Sequence, residues 1–443
     1  MTARKCLGWA GTAILLVAGC QSYAPMPLTR QASLAEHLSD LQFGNMPQPL
    51  SIEAVSLLAA ANNPDLKAAR SEIGIAAAQV LQAGILPNPS LGAGYAFLLG
   101  GPGTTAAVSA SLTEDIKSLV TLSARRQSAV AAAQQINASL LWQEWQTISK
   151  ARLLVVDIVE GGREQRQLEK TLAVLAARLA GERRALAQGN ATLTDIVPAL
   201  TAVADTKKQI DDLERQQETR RRDLDVLLGL APTVALPLDN RLDLPPIDTA
   251  TVAAILPTIG DRRPDLIALQ LGYRSQEEKV RAAVLAQFPA LVIGPSGGRD
   301  TTDVRSGGPQ ITMDLPIFDR NQGNIAIEKA TRRKLHDEFT ARLATARAEV
   351  TSMLADLAMI ARQIETVKKQ VDDLREAKKE AEAAYRARNL DERSYIDVIV
   401  SVQTKEIELI ALHQLSLEQQ VAIATLIGAG MPPAVMPQIA ALR

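Results

Sequence analysis

The stretch "NNPDLKAAR" (Asn62–Arg70) carries the punctuation of a helix start: an asparagine able to cap, a proline for the first helical position, an acid in the first turn. "RRPDLIALQ" (Arg262–Gln270) repeats it, with Pro264, Asp265 and Leu266 each 200 residues after Pro64, Asp65 and Leu66. A repeat of that length is a duplicated module rather than a solenoid unit. From each copy onward the patterns follow one order: helix, two alternating runs, a very long proline-free helix, a tight polar turn, a return helix, an irregular segment.

The alternating runs predict two β-hairpins. In the first, "PNPSLGAGYAFLLGGPG" is followed by "TTAAVSASLTEDI", in which Ala106, Val108, Ala110 and Leu112 share one face. In the second, "QFPALVIGPSGG", "RDTTDVRSGG" and "PQITMDLPI" repeat the plan, with Ile311, Met313 and Leu315 alternating. Strands of about ten residues are the length a membrane-spanning β-strand requires. No stretch after the N-terminal run offers 18 consecutive apolar residues, so any crossing in the rest of the chain must be β.

Proline is absent from about Lys117 to Ala187 and from about Asn324 to Arg388, which predicts two helices of about 100 Å. Met353, Leu357, Ile360, Ile364, Val367, Val371 and Leu374 fall at heptad spacing in the second, and Leu168, Leu172, Leu175, Leu179 and Leu186 keep that rhythm in the first. Gly161 and Gly162 interrupt it and predict a kink or a close contact. The turns "AQGNATLTD" and "ARNLDERSYID" lead into return helices that stop at Gly229 and Gly428, the residue a left-handed terminus favours. The expected organisation is a first repeat at 51–230 (hairpin 88–115, tip turn 188–195), a linker at 231–260, a second repeat at 261–430 (hairpin 289–317, tip turn 388–397) and a tail at 431–443.

Composition narrows the function. With 48 basic and 49 acidic side chains, no basic face for nucleic acid stands out. The aromatic content of 3% beside 47% hydrophobic residues suits extended helices rather than compact globules. Three scattered histidines, His37, His336 and His413, with no phosphate loop, HExxH or nucleophile elbow, predict neither enzyme, cofactor nor metal site. The cysteines, Cys6 and Cys20, fall in the first 20 residues. There Arg4 and Lys5 precede "LGWAGTAILLVAGC", an export signal expected over 1–19. Its end, Val17-Ala18-Gly19-Cys20, resembles a lipobox, which implies acylation (palmitate) at Cys20 and a lipidated lead at 20–50, with Gln21 favouring the outer membrane.

Order, duplication and spacing together resemble the outer-membrane efflux protein family, the TolC-like exit ducts, in its lipoprotein branch. The carriers are the paired "NPDL" and "RPDL" starts, "AGILPNPSL", "DLPIFDRNQGNI", "QGNATLTDI" and "RNLDERSYIDVI". The resemblance implies a mainly α protomer with membrane β, trimerising into a 12-stranded barrel on an α-helical barrel in the outer membrane of a Gram-negative bacterium. It implies a passive exit duct working with a periplasmic adaptor (membrane fusion) protein and an inner-membrane pump, of the resistance-nodulation-division type, for drugs or heavy metals.

It also implies a gate at the periplasmic tip. Asp195 and Asp397 match the aspartates of the family's tip motifs, which in three copies would give six carboxylates around one mouth, and Tyr385 sits where a gate tyrosine is found. Arg388 and Arg393 would tie the turns by ion pairs, Val400 replaces a second acid, and Gly189, Asn190, Asn389 and Leu390 would meet the adaptor. A lipid-anchored periplasmic coiled-coil adaptor or scaffold is the competing expectation; it explains the heptads but not the duplicated strand pairs.

Overall fold

The computed structural model describes residues 23–30 and 34–433, so the expected signal peptide and Cys20 lie outside the described residues. The first repeat comprises α1 (Ile52–Asn62), α2 (Pro64–Gly84), β1 (Ser90–Ala96), β2 (Ala107–Asp115), α3 (Ile116–Ala187) and α4 (Leu193–Leu228). The second comprises α5 (Thr249–Ile255), α6 (Pro264–Leu285), β3 (Leu291–Arg299), β4 (Arg305–Met313), α7 (Gln322–Arg386) and α8 (Glu392–Ile427).

The two related helix starts are held by different chemistry. Asn63 caps α2, its side-chain oxygen accepting from the Leu66 N–H at 2.9 Å, while its amide donates to the Leu227 carbonyl at 2.9 Å. The cap therefore also fastens α2 to the end of α4. In the second repeat Arg263 takes this place, fully buried, with its guanidinium bonded to Asp265 at 3.0 and 2.8 Å and lying 5.0 Å above the Trp142 ring on α3. Arg342 of α7 completes the cluster, donating to Asp265 at 3.1 Å.

The counterpart of α1 is α5 with the 3-10 turn that follows it (Leu256–Asp261), within the stretch 231–260 expected as linker. Asp248 starts this helix by accepting from the N–H groups of Ala250 and Thr251. Pro257, which has no N–H for the helical ladder, helps explain why the run tightens instead of continuing. Helical structure is therefore already present from Thr249, inside that stretch. A short helix ended by proline leaves little periodicity to read.

The four strands form one antiparallel sheet in the order β1-β2-β3-β4. Its register sorts the side chains. Leu91, Tyr95, Val108, Leu112, Ile293, Ile311 and Met313 share one face, and the other carries Gly92, Gly94, Ser109, Ser111, Ser296, Gly308 and Thr312. Within the chain β1 and β4 each lack a partner on their outer edge.

Below the sheet the helices make a layer four wide. In its upper half α2, α3, α6 and α7 lie side by side; in its lower half the order is α4, α3, α8, α7. Helices α3 and α7 run the full height, 72 and 65 residues or about 108 and 98 Å. The heptad leucines do as their spacing dictates: Leu179 packs with Ile196 and Ala199 of α4, and Leu168 with Ile210 and Leu213. Helix α3 runs unbroken through Gly161. The residue is buried against α4, and a Cβ there would run into the Gln217 amide, which donates to the Asp157 carbonyl at 3.1 Å.

Midway up, two larger cores sit where helices change partners. One gathers Leu50, Ile52, Val55 and Leu58 with Val155, Val156, Leu224, Leu228 and Leu230; the other gathers Val252, Ile259 and Leu266 with Val350, Ile423 and Ile427. The N-terminal lead closes over the first, bridging in parallel at Ala35 to Leu230 and Leu50 to Leu238. Among the described residues no helix is long and apolar enough to cross a membrane.

Candidate gate at the helical tip

Both tip turns are built by the same backbone device. After α3, Gly189 adopts φ 75°, its N–H bonding the Leu186 carbonyl and that of Asn190 the Ala185 carbonyl. After α7 the left-handed position is held by Arg388 at φ 62°, with the same bonds from Arg388 to Tyr385 and from Asn389 to Ala384. Glycine takes this conformation freely, whereas an arginine there costs on the order of 1 kcal/mol. Among the described residues Arg388 makes no ion pair; what it supplies at the turn is the left-handed backbone position.

The return helices start with acid and hydroxyl exchanged. In α4, Thr192 donates to the Asp195 carboxylate from its N–H at 2.8 Å and its hydroxyl at 2.7 Å. In α8, Asp391 occupies the cap and accepts from the N–H of Ser394 at 2.9 Å and its hydroxyl at 2.7 Å. The Thr192 bonds hold the Asp195 carboxyl below the usual carboxylate range, with the charge of Arg393 adding to the effect. The Ser394 bonds do the same for Asp391. Asp195 therefore stays ionised but is occupied by its own helix start. It sits three residues after its cap residue, whereas Asp397 sits six residues after its own, so the two aspartates are not equivalent positions of the repeat.

Asp397 faces a partner that no local pattern suggested. The Arg178 guanidinium, on α3, bonds its carboxylate at 2.5 Å and holds Glu182 at 2.9 Å. Arg178 is mostly buried, with 12% of its side chain exposed, and Asp397 mostly open at 58%. Burial works against the charge on Arg178, but the bonds from Glu182 and Asp397 outweigh it and raise its pKa above the ordinary value. This contact ties the α3/α4 pair to the α7/α8 pair. A second tie lies higher, where Glu406 of α8 accepts from Gln167 of α3 at 2.7 Å and from Arg375 of α7 at 2.6 Å.

Tyr385 stacks on Tyr395 with ring centroids 4.9 Å apart and planes 8° from parallel, joining the end of α7 to the start of α8. The tip thus unites Tyr385 with Tyr395 and Asp397 with Arg178, but brings neither Arg388 nor Arg393 into an ion pair with Asp397. Leu193, Val197 and Leu200 add an exposed apolar stripe on the first turns of α4, at helical spacing readable in the sequence. Among the described residues there is no cluster of three or more His, Cys, Asp or Glu side chains arranged for a metal.

Comparison with known proteins bears on this architecture. Residues 256–429 match the family model described as outer membrane efflux protein. The chain is 27% identical over 277 residues to "Outer membrane protein OprJ" of Pseudomonas aeruginosa, an alignment covering 59% of this chain and 57% of that one. It is 25% identical over 313 residues to "Cobalt-zinc-cadmium resistance protein CzcC" of Cupriavidus metallidurans, covering 66% of this chain and 69% of that one. A solved structure of a membrane protein from Pseudomonas aeruginosa superposes with a TM-score of 0.71 at 19% identity, covering 92% of this chain and 97% of the other. Solved outer-membrane channels such as CmeC of Campylobacter jejuni share the fold, with a TM-score of 0.69 at 14% identity over 93% and 94% of the two chains. The second repeat thus matches the outer membrane efflux protein family, and the chain as a whole, with its duplicated strands and full-height helices, shares the fold of the solved channels.

Proposed function

We propose that the protein is the outer-membrane exit duct of a tripartite efflux system. The observation that carries this reading is the sheet: one face apolar, the other glycine and hydroxyl, both edges open, and the sheet continuous with a layer of four helices. A single four-stranded sheet cannot close on itself, and lipid tolerates no unpaired strand edge. Three copies supply twelve strands and close, with the apolar face to lipid and the small polar face to the lumen. The same threefold arrangement sets twelve helical positions around a periplasmic tube. Acyl chains on Cys20 would add a second anchor.

Gating falls to the tip. The Arg178–Asp397 tie holds the α3/α4 pair to the α7/α8 pair, the Tyr385–Tyr395 stack pins the start of α8 to the end of α7, and opening requires the tie to break. The turns around Gly189, Asn190, Asn389 and Leu390, beside the stripe of Leu193, Val197 and Leu200, are the surface for the periplasmic adaptor, which links the duct to an inner-membrane pump of the resistance-nodulation-division type. Such a protein conducts rather than catalyses.

The test is physical. Detergent-extracted protein should run as a trimer by light scattering and conduct in planar bilayers. A monomer soluble without detergent and silent in bilayers would overturn the reading in favour of a periplasmic scaffold. Cargo class is decided by the sensitivity of a deletion strain to drugs, dyes and metal salts, since the pump makes the selection and the duct is passive.

A further inference from the structure

The outermost row of the sheet carries charge on its apolar face. Ladder pairing sets Tyr95 opposite Val108, Val108 opposite Arg299, and Arg299 opposite Arg305, so these four side chains form one row across the strands on the face shared with Ile293, Ile311 and Met313. The row lies at the end away from the helices, directly below the two connecting loops, which are joined to each other by the N–H groups of Thr104 and Thr105 bonding the Thr301 carbonyl. The Asp300 N–H bonds the Val304 carbonyl in the next pair outward, which makes Arg299 and Arg305 a pair without mutual ladder bonds, the kind whose side chains approach most closely.

Like charges directly opposite one another on one sheet face are destabilising unless something of opposite sign lies between them. The chain itself supplies little. Asp303 approaches Arg299 at 3.5 Å and is itself 57% exposed, and no ion pair of Arg305 is found among the described residues. The other acid on this face, Glu114, lies near the opposite end of the sheet, beside Ile293. From the Leu291–Met313 pair to the Arg299–Arg305 pair is eight residues of strand, about 26 Å, or about 20 Å of height at the usual tilt of a membrane barrel. The arginine row therefore falls at the outer margin of an apolar band about 25 Å tall, at the level of headgroups.

We propose that Arg299 and Arg305, with Tyr95 in the same row, dock the phosphorylated headgroup of an outer-leaflet lipid. Paired guanidinium groups match a phosphate in shape and charge, each able to present two parallel N–H donors, and the Tyr95 ring suits the boundary between acyl chain and headgroup. In the trimer this gives three sites and six arginines on the outer rim. The inference rests on the reading of the sheet as a membrane wall.

The experiment uses the full chain, solubilised as trimer, with thermal unfolding followed during titration with diphosphorylated lipid A. The wild type should melt at a higher temperature as lipid is added. In R299Q/R305Q the half-saturating concentration should rise on the order of tenfold, the loss expected for charge-assisted contacts, while R221Q/R222Q, which removes as much charge from α4, should match the wild type. Lipid A stripped of its phosphates should give no shift. An equal response to inorganic phosphate, an equal response to the stripped lipid, or an unchanged response in R299Q/R305Q would each overturn the proposal. If the double variant does not assemble, R305Q alone should lose part of the response and R305K, which keeps the charge but not the fork, should lose less. Conductance in planar bilayers separates the two readings: a silent wild type sinks the duct, whereas a conducting wild type without the phosphate-dependent shift sinks only the lipid site.

Discussion

At the scale of single residues the tip depends on Arg178. Its contact with Asp397 is an ion pair with one partner mostly buried and the other mostly open, a geometry worth on the order of 1 kcal/mol. Arg178→Gln should therefore raise the ratio of open to closed channels about fivefold in planar-bilayer recordings, and Asp397→Asn should do the same. The double variant should open no more than either single one; a further increase would mean that the two residues act separately. Asp225, in α4, is a different case. Burial pushes its pKa up to about 6 from 3.8, the charge of Glu218 adding, beside a cavity of about 350 Å³ lined by Arg166 and Arg221. A carboxyl whose pKa rises on folding keeps its proton in the folded chain where the unfolded chain has lost it. Its contribution is thus greatest below the unfolded value and is lost as pH climbs from about 4 to about 6, by up to roughly 3 kcal/mol. Melting temperature measured across that window should show the fall, and Asp225→Asn should flatten it.

At the scale of elements, the close pass of α3 over α4 at Gly161 is the most exposed to test. Gly161→Ala should force the Gln217 amide off the Asp157 carbonyl and cost about 1 to 3 kcal/mol, read as a lower melting temperature. Shortening the obstacle with Gln217→Ala in the same chain should recover part of the loss. The elements themselves were largely legible in the sequence. Proline-free spans with heptad seams predicted both full-height helices, alternation predicted the strands, and Pro64 and Pro264 marked two starts that the structure uses. What stayed hidden has a common cause. Arg178 and Asp397 are 219 positions apart, and Trp142 meets Arg263 across helices, so no local period records either contact. The Tyr385–Tyr395 stack spans a tip turn whose shape follows from a left-handed arginine, where composition would have asked for glycine. The expected ring of tip carboxylates drew on both Asp195 and Asp397. Only the hydrogen bonds reveal that Asp195 is engaged in its own cap.

At the scale of the whole molecule, assembly turns on the two faces of the sheet. Leu112 sits in the middle row of the apolar face, where a lysine costs about 2 to 4 kcal/mol in each protomer of a membrane barrel. Leu112→Lys should abolish trimers in outer-membrane fractions, seen as loss of the heat-modifiable band. Gln310→Lys, on the opposite face, should leave assembly intact; loss of trimers there as well would mean that the faces have been assigned the wrong way round. The helical layer has a mechanical consequence of its own. Helices α2 and α4 meet end to end beside the unbroken α3, and α6 and α8 meet end to end between α3 and α7. Every butt joint in the wall is thus lapped by a continuous member, as in a spliced beam; the first is covered by the N-terminal lead and the segment after Gly229, the second by α5 and the 3-10 turn that follows it. No transverse seam runs through all four helices. A bending load on this layer has to flex two rods of about 100 Å, so the layer resists folding at its waist.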